Sequence, residues 1–414
     1  MMNTYKKGGN TAIIKKSNLS LIVRLVREMG MVSRTDLAKI TGLSKGGLTP
    51  IIQELINNGI IRETGVMDSD AGRKPIMLEI CSHAAYVIAV DLNRSSAQIA
   101  LVDFSNKVRS SYEYKYAGNE STQEIIRRIK SMIRFFIEEN HECSIAAIGV
   151  SSPGPLDCQE GIILNPPRFH GWKNIPIKQL LEEEFGIPTI LDKDANAYAM
   201  AEKIMGLGKK YKNFIHVTHS EGIGAGVVID RMLYRGVRGF GTELGHLVVD
   251  YRGSKCDCGN IGCLEQYASM TAIIEWIESR IQHEVDEADA PIKMIYERRG
   301  RIEWEDVLDG LDKNSPICLK AVENAAVFLG YGLINMLNIF APEAVIIGGR
   351  GISAGKYLVK PLKKMMAEST FYKDFYLPDI LVSDLKDGAL IGIANTAFEH
   401  IIDKSTEQLF KPKM

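Results

Sequence analysis

The chain has 414 residues, 45% of them hydrophobic and 24% charged, with a formal net charge of −1. These are ordinary values for a globular protein with a full core, and the length suits about two to four domains. No run of about 18 apolar residues occurs, which speaks against a transmembrane helix. The N-terminal stretch "MMNTYKKGGNTAIIKKSNLS" has lysines but no apolar core followed by a cleavage site, so no signal peptide is read and the expected compartment is the cytoplasm. Structural disulfides are rare there, and the odd number of seven cysteines weakens a disulfide framework further. The charge is uneven. Residues 1–80 hold 12 Lys/Arg and 7 Asp/Glu, net +5; the remainder holds 38 and 44, net −6. A basic head on an acidic body points to an anionic partner for the head.

In chain order, "SNLSLIVRLVREMG" (17–30) carries Leu21, Leu25 and Met29 at helical spacing, with Gly30 as a stop. "SRTDLAKITG" (33–42) has Ser33 as N-cap and Gly42 as a stop; "SKGGLTPIIQELINNG" (44–59) has Ser44 as N-cap and an apolar stripe of Leu48, Ile51, Ile52 and Leu55. Two helices joined by the short turn Gly42–Leu43 form a helix-turn-helix, whose second helix enters the major groove of duplex DNA. "GIIRETGV" and "GRKPIMLEI" follow as two strands of a wing. The expected DNA contacts are Arg34, then Ser44, Lys45, Gly46, Gly47 and Thr49 at the start of the recognition helix. Arg73 and Lys74 join them on the wing, where a narrow minor groove attracts cations. Gly46 and Gly47 let a partner approach the backbone, at a helix-propensity cost of about 1 kcal/mol each. Pro50 removes one helical bond. The alternative is a small helical domain for protein contacts.

The body alternates strands and helices: "AAYVIAVDLNRSSAQIALVDF", "SIAAIGVSSPGPLD", "PTILDKDANAYAMAE", "NFIHVTHSEGIGAGVVIDRMLYRG" and "PEAVIIGGRGISAG". This is an α/β pattern, with ligands expected beyond the strand C-termini. The order of these pieces, with "GTELGHLVVDYRGSKCDCGNIGCLE" in the middle, resembles the ROK family (repressors, open reading frames and sugar kinases). With a winged helix in front, it is similar to that family's transcriptional repressors. The resemblance covers about residues 17–400. It implies an N-terminal winged helix-turn-helix (1–80) followed by a two-lobed, actin-like ATPase fold. The first lobe would span 84–203 plus 387–414, the second 204–386, with the sugar in the cleft between them.

His246, Cys256, Cys258 and Cys263 offer one imidazole and three thiolates, a closed tetrahedral set for one structural zinc with no open position for a catalytic water. No C-x-x-C redox pair is present. Cys81, Cys143, Cys158 and Cys318 lack such spacing and read as ordinary small residues.

A sugar kinase of this family needs a "DxGGT" phosphate turn; here the stretch is Asp91, Leu92, Asn93, Arg94, Ser95. Both glycines are replaced, so the kinase phosphate loop is degenerate at Asn93 and Arg94. The glycines of "SEGIGAG" and "GGRGISAG" match further nucleotide-loop positions, and tight turns explain them equally well. Asp194 matches the kinase general base, and without a phosphoryl donor it would still accept a sugar hydroxyl. The resemblance also assigns Gly154, Glu243, His246 and Glu265 to the sugar. Lys193 and Arg168 replace kinase asparagines. Both add a cation near the cleft and raise the expectation of an anionic effector, a phosphosugar or sugar acid; the alternative is that they face solvent or neighbouring acids.

The favoured reading is a sugar-responsive repressor, not an enzyme, that binds a palindromic DNA operator as a homodimer or higher oligomer, takes a sugar or sugar phosphate as effector and engages no membrane. Two other readings stay open: an ATP-dependent sugar kinase carrying a DNA-binding head, and a regulator controlled by a protein partner.

Overall fold

The computed structural model describes residues 11–404 apart from 67–75, 170, 284–285, 370 and 372–373. The head runs α1 (Thr11–Met29), β1 (Met31–Ser33), α2 (Arg34–Thr41), α3 (Lys45–Asn57), β2 (Ile61–Val66) and β3 (Ile76–Ile80). Its caps are those expected. Ser33 accepts the Asp36 N–H, Gly42 closes α2 in the left-handed region at φ 70°, and Ser44 accepts the Gly47 N–H at 3.1 Å. Helix α3 continues through Pro50 to Asn57. The wing is three-stranded rather than two-stranded, because β1 joins it in the order β1-β3-β2.

The face of α1 differs from the sequence expectation. Leu21 and Met29 are exposed, and the buried face is Leu19, Ile22, Val23 and Val26. Both sets keep helical spacing, so periodicity alone could not choose between them. The choice is made by tertiary packing: the buried face joins Leu37, Ile52 and Leu78 of the head, and the neighbouring face meets the C-terminal helix. Ser20 donates to the Ile402 carbonyl at 2.9 Å. Arg24 reaches Glu399 at 2.6 Å and also pairs with Asp403.

The first lobe contains β4 (Tyr86–Leu92), β5 (Ser96–Asp103), β6 (Val108–Lys115), α4 (Thr122–Glu139), β7 (Ile145–Ser152), β8 (Leu156–Asp157), β9 (Ile162–Ile163), α5 (Ile177–Phe185), β10 (Thr189–Lys193) and α6 (Asp194–Ile204). Its sheet is ordered β10-β7-β4-β5-β6, with β10, β7 and β4 parallel. Strand alternation divides β4 between two cores. Ile88, Val90 and Leu92 pack with Ile125, Ile129 and Ile133 of α4, while Val87 and Ala89 pack with the C-terminal helix.

The second lobe follows with β11 (Phe214–His219), β12 (Ile223–Ile229), β13 (Met232–Tyr234), α7 (Glu265–Ala268), α8 (Met270–Glu278), α9 (Ala290–Arg299), α10 (Trp304–Asp312), α11 (Pro316–Phe340), β14 (Ala344–Gly348), α12 (Lys356–Ser369) and β15 (Asp379–Val382). Its sheet is ordered β13-β12-β11-β14-β15. Helix α11 is long and apolar enough to cross a membrane, but Leu329, Leu333 and Met336 bury it in the core of this lobe. The chain returns in α13 (Gly388–Lys404), which packs on the first lobe. A side chain at Gly392 would lie 1.7 Å from the Ala197 carbonyl, so only glycine lets α13 press this closely on α6. The head has no separate core: Ile22, Leu37 and Ile52 belong to one apolar cluster with Val87, Phe104, Phe398 and Ile401.

Candidate functional site

Between the lobes lies a cleft of about 660 Å³, lined from the first lobe by Asp91, Asn93, Arg94, Gly154, Lys193 and Asp194 and from the second by Thr218, Gly222, Glu243, His246 and Glu265. Strand ends supply it: β4 and β5 meet at the turn with Arg94, and α6 starts at Asp194 directly after β10. The Asp194 carboxylate accepts the Ala195 N–H at 2.7 Å. Burial, and then the negative charge of Asp91, push its carboxyl up to about 7. Asp91 itself is buried, accepting hydrogen bonds from Ser151 and from Asn93 at 2.9 Å; burial raises its carboxyl too. Glu265 is buried and accepts the Ile223 N–H at 3.1 Å.

The two cations expected to read an anion are already partnered. Lys193 is buried, and its ammonium donates to the Gly241 carbonyl, to Thr242 and to Glu243 at 2.9 Å. It fixes Glu243 and presents no free charge. Arg168 does not line the cleft; it faces Asp257 at 3.5 Å and Glu275 at 3.4 Å. Arg94 also lines the cleft, as do Lys115 and Arg350. The Arg94 Nη2 lies 3.7 Å from Glu265, and a Cβ on Gly222 would come within 3.1 Å of it. The glycines of the two nucleotide-loop motifs have packing roles. A side chain at Gly226 would strike the Ala195 carbonyl at 2.4 Å, and one at Gly351 would strike His219 at 1.8 Å. Three buried polar atoms at the cleft, Arg94 Nε, the Tyr116 hydroxyl and the Thr218 hydroxyl, have no partner among the described residues. Thr218 and Tyr116 carry no sequence motif and were not anticipated.

His246, Cys256, Cys258 and Cys263 converge, with their four ligand atoms within 4.8 Å of one another. Cys258 Sγ is 3.6 Å from Cys263 Sγ, and Cys256 Sγ is 3.8 Å from His246 Nδ1. A tetrahedron with metal–sulfur bonds of about 2.3 Å has edges of about 3.7 Å, so this donor set could hold a metal ion. The Val249 and Cys256 N–H groups bond back to Gly262 and Asn260, Leu264 enters the core, and Leu247 and Val249 pack against it. His246 lines the cleft, and Cys263 stands two residues before Glu265, which lines it too.

On the head, Ser44, Lys45, Gly46, Gly47 and Thr49 are all exposed, as expected. Nothing lies within 4 Å of a Cβ on Gly46, and only Ser44 Oγ, at 3.4 Å, lies near one on Gly47. The protein itself has no need of these two glycines. Arg34 pairs with Glu63 of β2 at 2.7 Å, which ties α2 to the wing. Arg73 and Lys74 lie outside the described residues.

A winged head fused to a two-lobed, actin-like body with a polar cleft defines a class that joins repressors and sugar kinases. Residues 87–398 match the ROK family model, and the chain belongs to the ROK family. It is 29% identical over 385 residues to the xylose repressor of Caldicellulosiruptor bescii, an alignment covering 92% of this chain and 95% of that protein. Its structure is similar to that of a ROK family transcriptional regulator homologous to the E. coli Mlc protein, with a TM-score of 0.81, 25% identity, and coverage of 96% of this chain and all of that one. It is also similar to a ROK family glucokinase from Streptomyces griseus in complex with glucose and AMPPNP, with a TM-score of 0.67, 25% identity, and coverage of 76% of this chain and all of that one.

Proposed function

We propose that this chain is a sugar-responsive, DNA-binding transcriptional repressor of carbohydrate-metabolism genes that acts in the cytoplasm. The observation that carries the effector half is the cleft. Carboxylates at Asp194, Glu243 and Glu265 line the same cleft as polar side chains whose buried atoms have no partner among the described residues, an arrangement suited to a ligand rich in hydroxyls. Of the cations lining the cleft, Lys193, Arg94 and Arg350 are paired to acids, which favours a neutral sugar, and the xylose repressors among the relatives make D-xylose the first to test. The recognition helix supports the DNA half through its exposed glycines. A homodimer would present two heads to a palindromic operator, with half-sites spaced by whole helical turns.

Zinc suits the three thiolates and one imidazole of the metal cluster, where it would brace the loop and take no part in chemistry. Its four ligands leave no position for a reacting water. His246 would hold the ion through Nδ1 and keep Nε2 for the cleft.

Phosphoryl transfer is the weaker reading. Asp194 keeps the place and the raised carboxyl of a general base, but Arg94 lies over the Gly222 turn where a triphosphate needs open backbone. A thermal-shift screen of neutral sugars, sugar phosphates, sugar acids and MgATP separates these readings, since a specific ligand stabilises the fold by mass action. A response to a neutral sugar with none to MgATP is expected. A MgATP response with ADP release in the presence of sugar would overturn the repressor-only reading.

A further inference from the structure

The second-lobe segment from Arg231 to Glu243 lies across the head and first lobe as a strap with four polar anchors. Arg231 meets Glu28 of α1 at 3.5 Å. Arg235 donates to Asp192 of β10 at 2.8 Å. Arg238 pairs with Asp157 of β8, and its carbonyl accepts the Cys158 N–H at 3.0 Å. At the far end Lys193 holds the Gly241 carbonyl and Glu243. One continuous segment therefore starts on the DNA-binding head and ends on a carboxylate of the cleft.

Two features mark it as poised to move. Beyond β13, which pairs with β12 and packs Leu233 on a small apolar cluster, its apolar side chains give it little hold: Val237 and Phe240 are exposed, and segments with few buried apolar contacts open at low free energy. Its backbone is also held in unfavourable places. Asp230, Arg231, Arg238 and Thr242 all have positive φ, between 48° and 62°. Asp230 and Arg231 form the hairpin turn between β12 and β13, where asparagine and glycine are the favoured pair. Arg238 and Thr242 belong to no such turn, and conformations of that kind persist only where the surroundings impose them. Beneath the strap a cavity of about 740 Å³ opens between Leu21 and Leu25 of α1 and Met232 and Leu233. Leu21 and Leu25, from the α1 face that periodicity assigned to the core, line this space instead.

We propose that the strap is the element through which the cleft controls the head. The proposal rests on the cleft being the sugar site. A sugar hydroxyl that donates to Glu243 competes with the Lys193 ammonium for the same carboxylate. Loss of that anchor releases the strap at Gly241–Glu243. Asp192, which holds Arg235, directly precedes Lys193, so the second anchor shifts with the first. The strap then lets go of Glu28 or closes into the cavity, and α1 changes its seat on the body. The Arg231–Glu28 pair is exposed and weak alone; its place as the direct link from second lobe to head matters more than its strength.

The test uses the full chain, a duplex selected from random DNA by the wild-type protein, and D-xylose as the sugar probe. Arg235→Gln/Arg238→Gln removes two anchors that do not line the cleft. Without sugar, this variant is expected to shift its duplex Kd at least five-fold, to within about two-fold of the wild-type value at saturating sugar. Its own sugar response should fall below two-fold, with sugar Kd changed by less than three-fold. Glu28→Gln tests the same link from the exposed, head side, where misfolding is of little concern. The swap Glu28→Arg/Arg231→Glu should restore the wild-type response. Duplex affinity unchanged in both the double variant and Glu28→Gln would overturn the proposal. A wild type indifferent to D-xylose beside variants that shift duplex affinity would uphold the strap and reject D-xylose as the effector.

Discussion

Asp194 concentrates the chemistry of the cleft in one carboxyl. Its proton leaves at about pH 7 because burial, and then Asp91, oppose the charge. An unfolded aspartate ionises near pH 4. Between these values the folded chain binds a proton that the unfolded chain has lost, so this group's contribution to stability falls as pH rises from about 4 to 7 and is flat above. Sugar binding follows the opposite sense, because a hydroxyl donates more strongly to the carboxylate than to the acid. Calorimetric affinity for the effector is expected to rise between pH 6 and 8. Asp194→Asn should weaken binding at least ten-fold and flatten the pH profile, and an unchanged profile would remove Asp194 from the site. Cys258 makes a second test. Cys258→Ser is expected to lose bound metal, read by mass spectrometry, and the sugar response, while the head keeps its fold and its DNA affinity. Full metal content with a normal sugar response would mean that the cluster does not brace the cleft.

At the scale of the element, α3 separates what the fold needs from what a partner needs. A Cβ at Gly46 or Gly47 meets no obstacle within the protein. Alanine at either position should raise stability by about 0.5–1 kcal/mol in chemical denaturation and lower duplex affinity ten-fold or more, because the added methyl stands where the DNA backbone would approach. Greater stability with unchanged DNA binding would move the interface elsewhere. This helix was legible in the sequence because its signals are local. Ser33, Gly42 and Ser44 act within four residues of themselves, and the His246–Cys263 spacing names four residues that the fold does bring together. The buried face of α1 and the partners of Arg168 and Lys193 were not legible, for a shared reason. Lys193 finds Glu243 fifty residues on, and α1 meets a helix 375 residues away in the Arg24–Glu399 pair. A lone cation near a cleft looks available for a ligand until the fold brings an acid to it. The strap was hidden likewise: its arginines lie in an unremarkable hairpin, and only the fold sets each against an acid of another part.

For the molecule as a whole, the head is part of the body. Arg27 shows this most directly. It is buried, lies 4.7 Å over both the Phe104 and Phe398 rings, and donates to the Phe104 carbonyl and Asn106. Arg27→Ala should cost about 3 kcal/mol, from the lost packing on two rings and from a buried carbonyl and Asn106 left without their donor. Head and first lobe should melt in one transition in both proteins; two separated transitions in the wild type would mean that the shared core does not couple them. A head seated on the body through a shared core can pass a change in the cleft on to DNA, and the coupling must run both ways. The direct measurement is one thermodynamic cycle: duplex affinity with and without saturating sugar, and sugar affinity with and without saturating duplex. Both ratios are expected to be equal and at least ten-fold. A sugar that binds the cleft while both ratios stay at one would contradict a sugar-responsive repressor.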